Sequence, residues 1–168
     1  MFIDISAVLG KKGEQIEFSI TENIEKDEDY ALITEFGGPV VIKGTATNVD
    51  GAIKVEADGE IEVFMSCDRC VKDVKEDIDF ILDEVFVASG NAQEGDETYS
   101  GSVIDLTGAV KKSILSSLPM KVLCSEDCKG LCPQCGKDLN TGECGCKTEH
   151  IDPRFESLRS LFKVDEEV

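Results

Sequence analysis

Six cysteines crowd into one polar stretch, Cys124-Ser-Glu-Asp-Cys128-Lys-Gly-Leu-Cys132-Pro-Gln-Cys135-Gly-Lys-Asp-Leu-Asn-Thr-Gly-Glu-Cys144-Gly-Cys146. Thiols are among the most buried side chains, but a loop rich in glycine and lysine cannot sink six of them in a core. A metal or a set of disulfides must account for them. The turn Cys132-Pro-Gln-Cys135-Gly136 favours metal, because it points two sulfurs the same way and lets the backbone curl so that amides reach the thiolates. Cys144 and Cys146 form a second close pair and Cys124 and Cys128 a third. A four-sulfur zinc shell is closed and leaves no position for a substrate. One such site uses four of the six local cysteines. Cys67-Asp-Arg-Cys70 adds a further pair, and eight sulfurs would also suit two sites. Iron–sulfur ligation uses similar turns, but zinc is the expectation.

Compartment bears on that choice. The first residues, Met1-Phe-Ile-Asp-Ile5, have no basic start and no long apolar run. No stretch approaches the roughly 20 apolar residues of a membrane span. A cytoplasmic, soluble protein is expected, and there clustered thiols stay reduced and bind metal. Charge bears on partners. The net charge is −18, and residues 1–100 hold 24 acids against 8 bases while residues 101–168 hold 11 against 9. Direct phosphate binding needs clustered Lys and Arg. This chain would repel nucleic acid at long range and attract a basic protein.

The clearest structural signal lies in the middle. Val40–Val49 and Ala52–Met65 flank Asp50-Gly51, a strong hairpin signature. From Val55 the alternation is strict, with Val55, Ala57, Gly59, Ile61, Val63 and Met65 on one face. After Cys70, Val74, Ile78, Phe80 and Leu82 repeat it. Folding about Asp50-Gly51 sets Ala46 opposite Val55 and Ile42 opposite Gly59. Folding about Asp68-Arg69 sets Val63 opposite Val74, Ala57 opposite Phe80 and Asp58 opposite Asp79. The apolar residues then share one face of an antiparallel sheet. The other face carries Glu56, Asp58, Glu60, Glu62, Asp77 and Asp79, offset by Lys43, Lys54 and Lys75. It reads as a solvent face, or as a docking face for a basic partner.

Elsewhere Gln15–Ile20 alternates as a strand. Residues 88–102 read as a mobile loop. Asp105 caps a helix whose stripe Leu106, Ala109, Val110, Ile114 and Leu118 ends at Pro119 and should cover the sheet's apolar face. Asp152-Pro153 opens a last helix before an acidic tail. The expected fold class is α+β: an antiparallel meander of about four to six strands under a helix. Residues 1–120 form the core domain, 121–150 the cysteine-rich zinc module, and 151–168 the C-terminal helix and tail. No catalytic set is visible. The one histidine, His150, sits beside the cysteine module, and no Gly-rich phosphate loop is present.

Several segments together carry a resemblance. They are Cys67-x-Arg69-Cys70, the Asp105-Leu106 helix ending at Leu118-Pro119, Gly130-Leu-Cys132-Pro-x-Cys135-Gly-x-Asp-Leu-Asn140, and Asp152-Pro153-Arg154-Phe-x-x-Leu158-x-x-Leu161. The chain resembles the YceD family, the large ribosomal RNA subunit accumulation proteins. The resemblance implies a non-enzymatic role in ribosome biogenesis. Some family members lack most of these cysteines, which implies that the metal is a structural clip between the helices. Combined with the charge, it points to contact with a basic ribosomal protein or a preribosomal large subunit. The alternative is a zinc-dependent RNA-binding module using Lys121, Lys129, Lys137 and Lys147, although five acids lie among them between residues 121 and 150.

Overall fold

The computed structural model describes residues 1–146. The helix expected from Asp152, His150 and the acidic tail lie outside the described residues. Eight strands and one α-helix follow in order: β1 (Phe2–Asp4), β2 (Gln15–Glu22), β3 (Ile33–Phe36), β4 (Val40–Val49), β5 (Ala52–Ser66), β6 (Asp73–Ala88), β7 (Glu97–Tyr99), β8 (Val103–Asp105) and α1 (Thr107–Ser117). A single 3-10 turn at Glu28–Tyr30 interrupts the acidic segment after β2.

The Asp50-Gly51 hairpin forms as its sequence dictates. Both residues take positive φ, 53° and 93°, and Ala46 pairs with Val55 and Ile42 with Gly59. The β5–β6 register differs from expectation by two residues. Met65 pairs with Val74, Gly59 with Phe80 and Ala57 with Leu82; Asp58 faces Ile81, not Asp79. The connection spans residues 67–72, centred one residue later than Asp68-Arg69, because the cysteine turn there has its own hydrogen bonds. A two-residue slip keeps every side chain on its face. The alternating burial of β5 and β6 therefore follows the sequence pattern.

The sheet is mixed, not a simple meander. Its order is β2-β4-β5-β6-β7, and β3 also pairs with β5. The length of β5 explains the branch. β4 pairs with β5 only as far as Glu60, and β3 takes up Val63–Met65 beyond it. Residues 88–102 contain more order than a loop reading allows, for β7 lies parallel to the end of β6 and Tyr99 is buried.

The helix is not the sole cover of the apolar face. Ala109, Val110 and Ile114 of α1 are buried, and so are Ile3, Ile5, Val8, Ile104 and Leu106 in the same cluster. β1 and β8 form a separate two-stranded ribbon that carries part of this load. Within the sheet, α1 packs chiefly on β6. Lys112 reaches Glu84 at 2.9 Å. Lys111 bonds Asp27 at 2.5 Å and also Asp29, with its ammonium 5.2 Å from the Tyr30 ring centre. Asp105 accepts from the Thr107 amide at 2.9 Å, but the N-cap is Leu106, with no side-chain cap bond, so Asp105 stands one residue ahead of the cap expected of it. Leu118 is extended ahead of Pro119, which stops the helix.

Asn48 is the one buried polar side chain among the described residues. Its amide donates to the Val8 carbonyl at 2.8 Å, and its side-chain oxygen accepts from Gly51 at 3.0 Å. It ties the N-terminal segment to the hairpin turn. Asn48→Ala should lower unfolding stability by about 1 kcal/mol, because two hydrogen bonds are lost while the Val8 carbonyl keeps its bond from Lys11 N and Gly51 is open to water; chemical denaturation would measure it.

Candidate metal centres

Cys67-Asp-Arg-Cys70 and Cys132-Pro-Gln-Cys135 adopt the same local turn. In the first, the Cys67 amide bonds Lys72 O at 2.8 Å and the Val71 amide bonds Cys67 O at 2.9 Å. In the second, the Cys132 amide bonds Lys137 O at 2.9 Å and the Gly136 amide bonds Cys132 O at 2.8 Å. The residue after the second cysteine has positive φ in both, 61° at Val71 and 71° at Gly136. Gly136 takes this conformation freely, whereas a β-branched valine is strained by it. Val71 is largely exposed. Val71→Gly should therefore raise stability by about 1 kcal/mol, read as a shift of the denaturation midpoint.

Each turn contributes to a four-cysteine group. Cys67 and Cys70 meet Cys124 and Cys128; Cys132 and Cys135 meet Cys144 and Cys146. Within each group all four sulfurs lie within 4.8 Å of one another. The expectation of one site built from the C-terminal six, with Cys67 and Cys70 as a further pair, gives way to two separate groups of four. None of the eight thiols is in a disulfide. Cys70 and Cys124 are 3.5 Å apart and Cys67 and Cys128 3.9 Å. A tetrahedral zinc with bonds near 2.3 Å sets its sulfurs about 3.8 Å apart. The spacing suits a metal ion.

The ionisation pattern leads the same way. Burial pushes the Cys67 thiol up, but amide donors from Cys124, Arg69 and Cys70 outweigh it and bring it down to about 6. Amides of Cys135 and Gln134 bring Cys132 down to about 6. The adjoining sulfurs of Cys70 and Cys128 push Cys124 up to about 12, and those of Cys135 and Cys144 do the same to Cys146. Four thiols this close cannot all ionise unaided, because each new thiolate repels the next. A dication removes that conflict.

The two groups differ in what they hold. The first joins the tip of the β5–β6 hairpin to the segment after α1. Asp68 N–H donates to Val122 O at 2.9 Å, and its carboxylate accepts from Val122 N at 2.8 Å. Arg69 donates to Cys128 O at 2.7 Å, and its own carbonyl accepts from Leu131 N at 3.0 Å. Gly130, at φ 74°, would bring a Cβ to 2.9 Å from that same carbonyl, so glycine is required there. Cys67, Cys70 and Cys128 are buried. The second group is local, and only Cys132 in it is buried. Asn140 couples the two. Its amide nitrogen donates to Cys128 Sγ at 3.4 Å and its oxygen accepts from Lys129 N at 2.8 Å. Asp138 accepts from Asn140 N at 2.8 Å and pairs with Lys72 at 2.6 Å. Such outer contacts orient thiolate ligands. They also give the Asp-Leu-Asn motif its purpose.

The six acids singled out on the sheet divide. Glu56 bonds Lys54 at 2.7 Å, and Glu62 pairs with Lys75. Asp58, Glu60, Asp77 and Asp79 have no ion pair among the described residues. Glu60 stands directly opposite Asp79, and Glu62 opposite Asp77. Sequence reasoning missed a further apolar residue here: Ile81, on the same face, is 73% exposed. Its odd position in the alternation of β6 was the available signal.

Residues 55–162 match the family described as large ribosomal RNA subunit accumulation protein YceD. The chain is similar to the uncharacterized protein YlbN of Bacillus subtilis (strain 168), with 30% identity over 156 residues, 89% of this chain and 91% of that protein. An uncharacterized protein of Mycobacterium tuberculosis (strain ATCC 25618 / H37Rv) is 36% identical over 104 residues, 57% of this chain and 49% of that one. The chain thus spans about half the length of that mycobacterial relative. Over 61 residues it is 33% identical to the chloroplastic large ribosomal RNA subunit accumulation protein YCED homolog 1 of Zea mays, 36% of this chain and 20% of that one. No solved structure matches the chain.

Proposed function

The chain belongs to the YceD family of large ribosomal RNA subunit accumulation proteins, and we propose that it is a non-enzymatic factor of ribosome biogenesis that lets large-subunit ribosomal RNA accumulate. The match over residues 55–162 carries this reading, since it includes most of β5, all of β6 and α1, and all eight cysteines. The factor acts in the cytoplasm by protein–protein contact with a basic ribosomal protein or a preribosomal large subunit. The charge distribution supports that mode over direct RNA binding. Among the described residues, no helix is long and apolar enough to cross a membrane. Deleting the gene should lower the ratio of large- to small-subunit ribosomal RNA, and the wild-type gene should restore it. An unchanged ratio would sink the reading.

Two zinc ions hold the cysteine-rich region as structural clips. Cys67, Cys70, Cys124 and Cys128 take one, and Cys132, Cys135, Cys144 and Cys146 the other. Native mass spectrometry should give two zinc ions per chain; one would exclude the paired arrangement. Thiolates bind the metal and protons compete for them. Acidification should therefore release zinc, which a chromogenic chelator would detect.

A further inference from the structure

The outward face of the sheet is not flat where α1 flanks the edge of β6. A groove of about 910 Å³ opens there, with β4, β5 and β6 as its floor and Ser113 and Ser116 of α1 as its wall. The register fixes what the floor presents. One row across the strands is Val41, Glu60, Asp79; the next is Lys43, Asp58, Ile81. Three acids, two aliphatic residues and one lysine thus share a small area. Neighbouring strands are about 4.8 Å apart and alternate residues on one strand about 6.8 Å. Asp58, Glu60 and Asp79 therefore form a triangle on that scale, with Ile81 beside Asp58 and Val41 beside Glu60.

Two features of this floor call for an occupant. Glu60 and Asp79 are directly opposed, an arrangement that disfavours the sheet unless a cation lies between them. The lysines do not supply it. Lys112 is bonded to Glu84 at 2.9 Å and Lys54 to Glu56 at 2.7 Å. Lys43, opposite Asp58, makes no ion pair among the described residues. Ile81, meanwhile, offers most of its side chain to solvent in the midst of charge.

We propose that this groove binds an extended segment of a basic protein, with lysine or arginine side chains over Asp58, Glu60 and Asp79 and an aliphatic side chain against Ile81 and Val41. The proposal rests on the protein-contact reading above and gives that contact its place. Charge complementarity selects the occupant: a nucleic acid would meet three acids against the one base Lys43, and an acidic or neutral segment would leave the opposed carboxylates uncompensated. The volume suits several side chains, and a single metal ion would leave most of it empty.

The test uses a fluorescent peptide of alternating lysine and valine, with a lysine–serine peptide, a glutamate–valine peptide and single-stranded RNA as comparisons. Fluorescence anisotropy at low salt should show the lysine–valine peptide binding about tenfold or more tightly than any other probe, a gap of about 1.4 kcal/mol. Ile81→Ser should erase its advantage over lysine–serine, and Glu60→Lys with Asp79→Lys should abolish both. Charge reversal at Glu94 and Asp96, outside the groove, should leave binding within twofold. These substitutions are on the surface, and circular dichroism would verify that each variant stays folded. Equal losses at Glu94 and Asp96, or preferential binding of RNA, would overturn the proposal. Returning the variants to the deletion strain separates the two claims. If deletion lowers large-subunit RNA and the Glu60→Lys, Asp79→Lys variant restores it fully, the groove is wrong and the family reading stands. If deletion itself has no effect, the family reading is what fails.

Discussion

Replacing Cys67 and Cys70 together by serine should lower the melting temperature of the zinc-loaded protein by about 10 °C or more, while replacing Cys144 and Cys146 should lower it far less. Each change removes two sulfurs from one group, and each should reduce the metal count by one. Their structural consequences differ because the groups join different parts. Loaded with metal, the first group would link the long hairpin to the chain after α1. Without it, the connection rests on the bonds of Asp68 to Val122, of Arg69 to Cys128, of Leu131 to Arg69, and on the Lys72–Asp138 ion pair. Each such bond contributes about 1 kcal/mol. A structural zinc contributes on the order of 10 kcal/mol in small domains. Part of that is lost here to local unfolding that spares the sheet, leaving several kcal/mol. At about 2–4 °C per kcal/mol for a chain of this size, the shift is of the stated order. The second group closes a loop on itself, and Asn140 alone among its neighbours bonds a sulfur of the first. Calorimetry with metal analysis on both variants checks this. Equal shifts would mean that the two groups hold the structure alike.

The contrast also shows what the residues disclosed and what they withheld. The period-two alternation of β5 and β6 gave the faces correctly, because side-chain direction depends only on parity. It could not give the register, because Val74 suits Met65 as well as Val63. The turn decided that, and the turn was hidden. Cys132-Pro-Gln-Cys135-Gly136 displays the glycine that its positive φ requires, whereas Cys67-Asp-Arg-Cys70 places Val71 at the equivalent position. The pair Cys67 and Cys70 was legible as a candidate, but Val71 hid how closely its turn matches the other. Long-range partners were equally out of reach: nothing local to Cys124 and Cys128 says that they meet a hairpin tip more than fifty residues earlier. The ribbon of β1 and β8 was hidden for a related reason, since three-residue strands are too short to show a period. The wall that α1 raises beside Ile81 depends on tertiary packing, which is why an acidic face was legible and its groove was not.

Gly44 marks where backbone spacing itself is the constraint, and Gly44→Ala should destabilise the protein by about 3 kcal/mol or more. Gly44 pairs directly with Ala57. A Cβ at Gly44 would stand 2.2 Å from the Glu56 carbonyl oxygen and 2.3 Å from the Ala57 Cβ. Relief would require β4 and β5 to part, and that costs ladder bonds on either side. Gly59 is a second close approach of a different kind. There a Cβ would meet the Phe80 ring at 2.1 Å. The ring is buried, yet it is a side chain and can be replaced. A double variant, Gly59→Ala with Phe80→Leu, should therefore recover part of the loss of Gly59→Ala, a positive coupling in a double-mutant cycle. No side-chain change near Gly44 should rescue Gly44→Ala in the same way, because the Glu56 carbonyl oxygen and the Ala57 Cα would remain 2.2 and 2.6 Å from the new Cβ. Urea denaturation of the four variants separates the cases. The position has a functional corollary. Gly44 sits beside Lys43 and its partner strand carries Asp58, so parting β4 from β5 would also spread the groove floor. Gly44→Ala should thus weaken binding of the lysine–valine peptide even at temperatures where the protein remains folded.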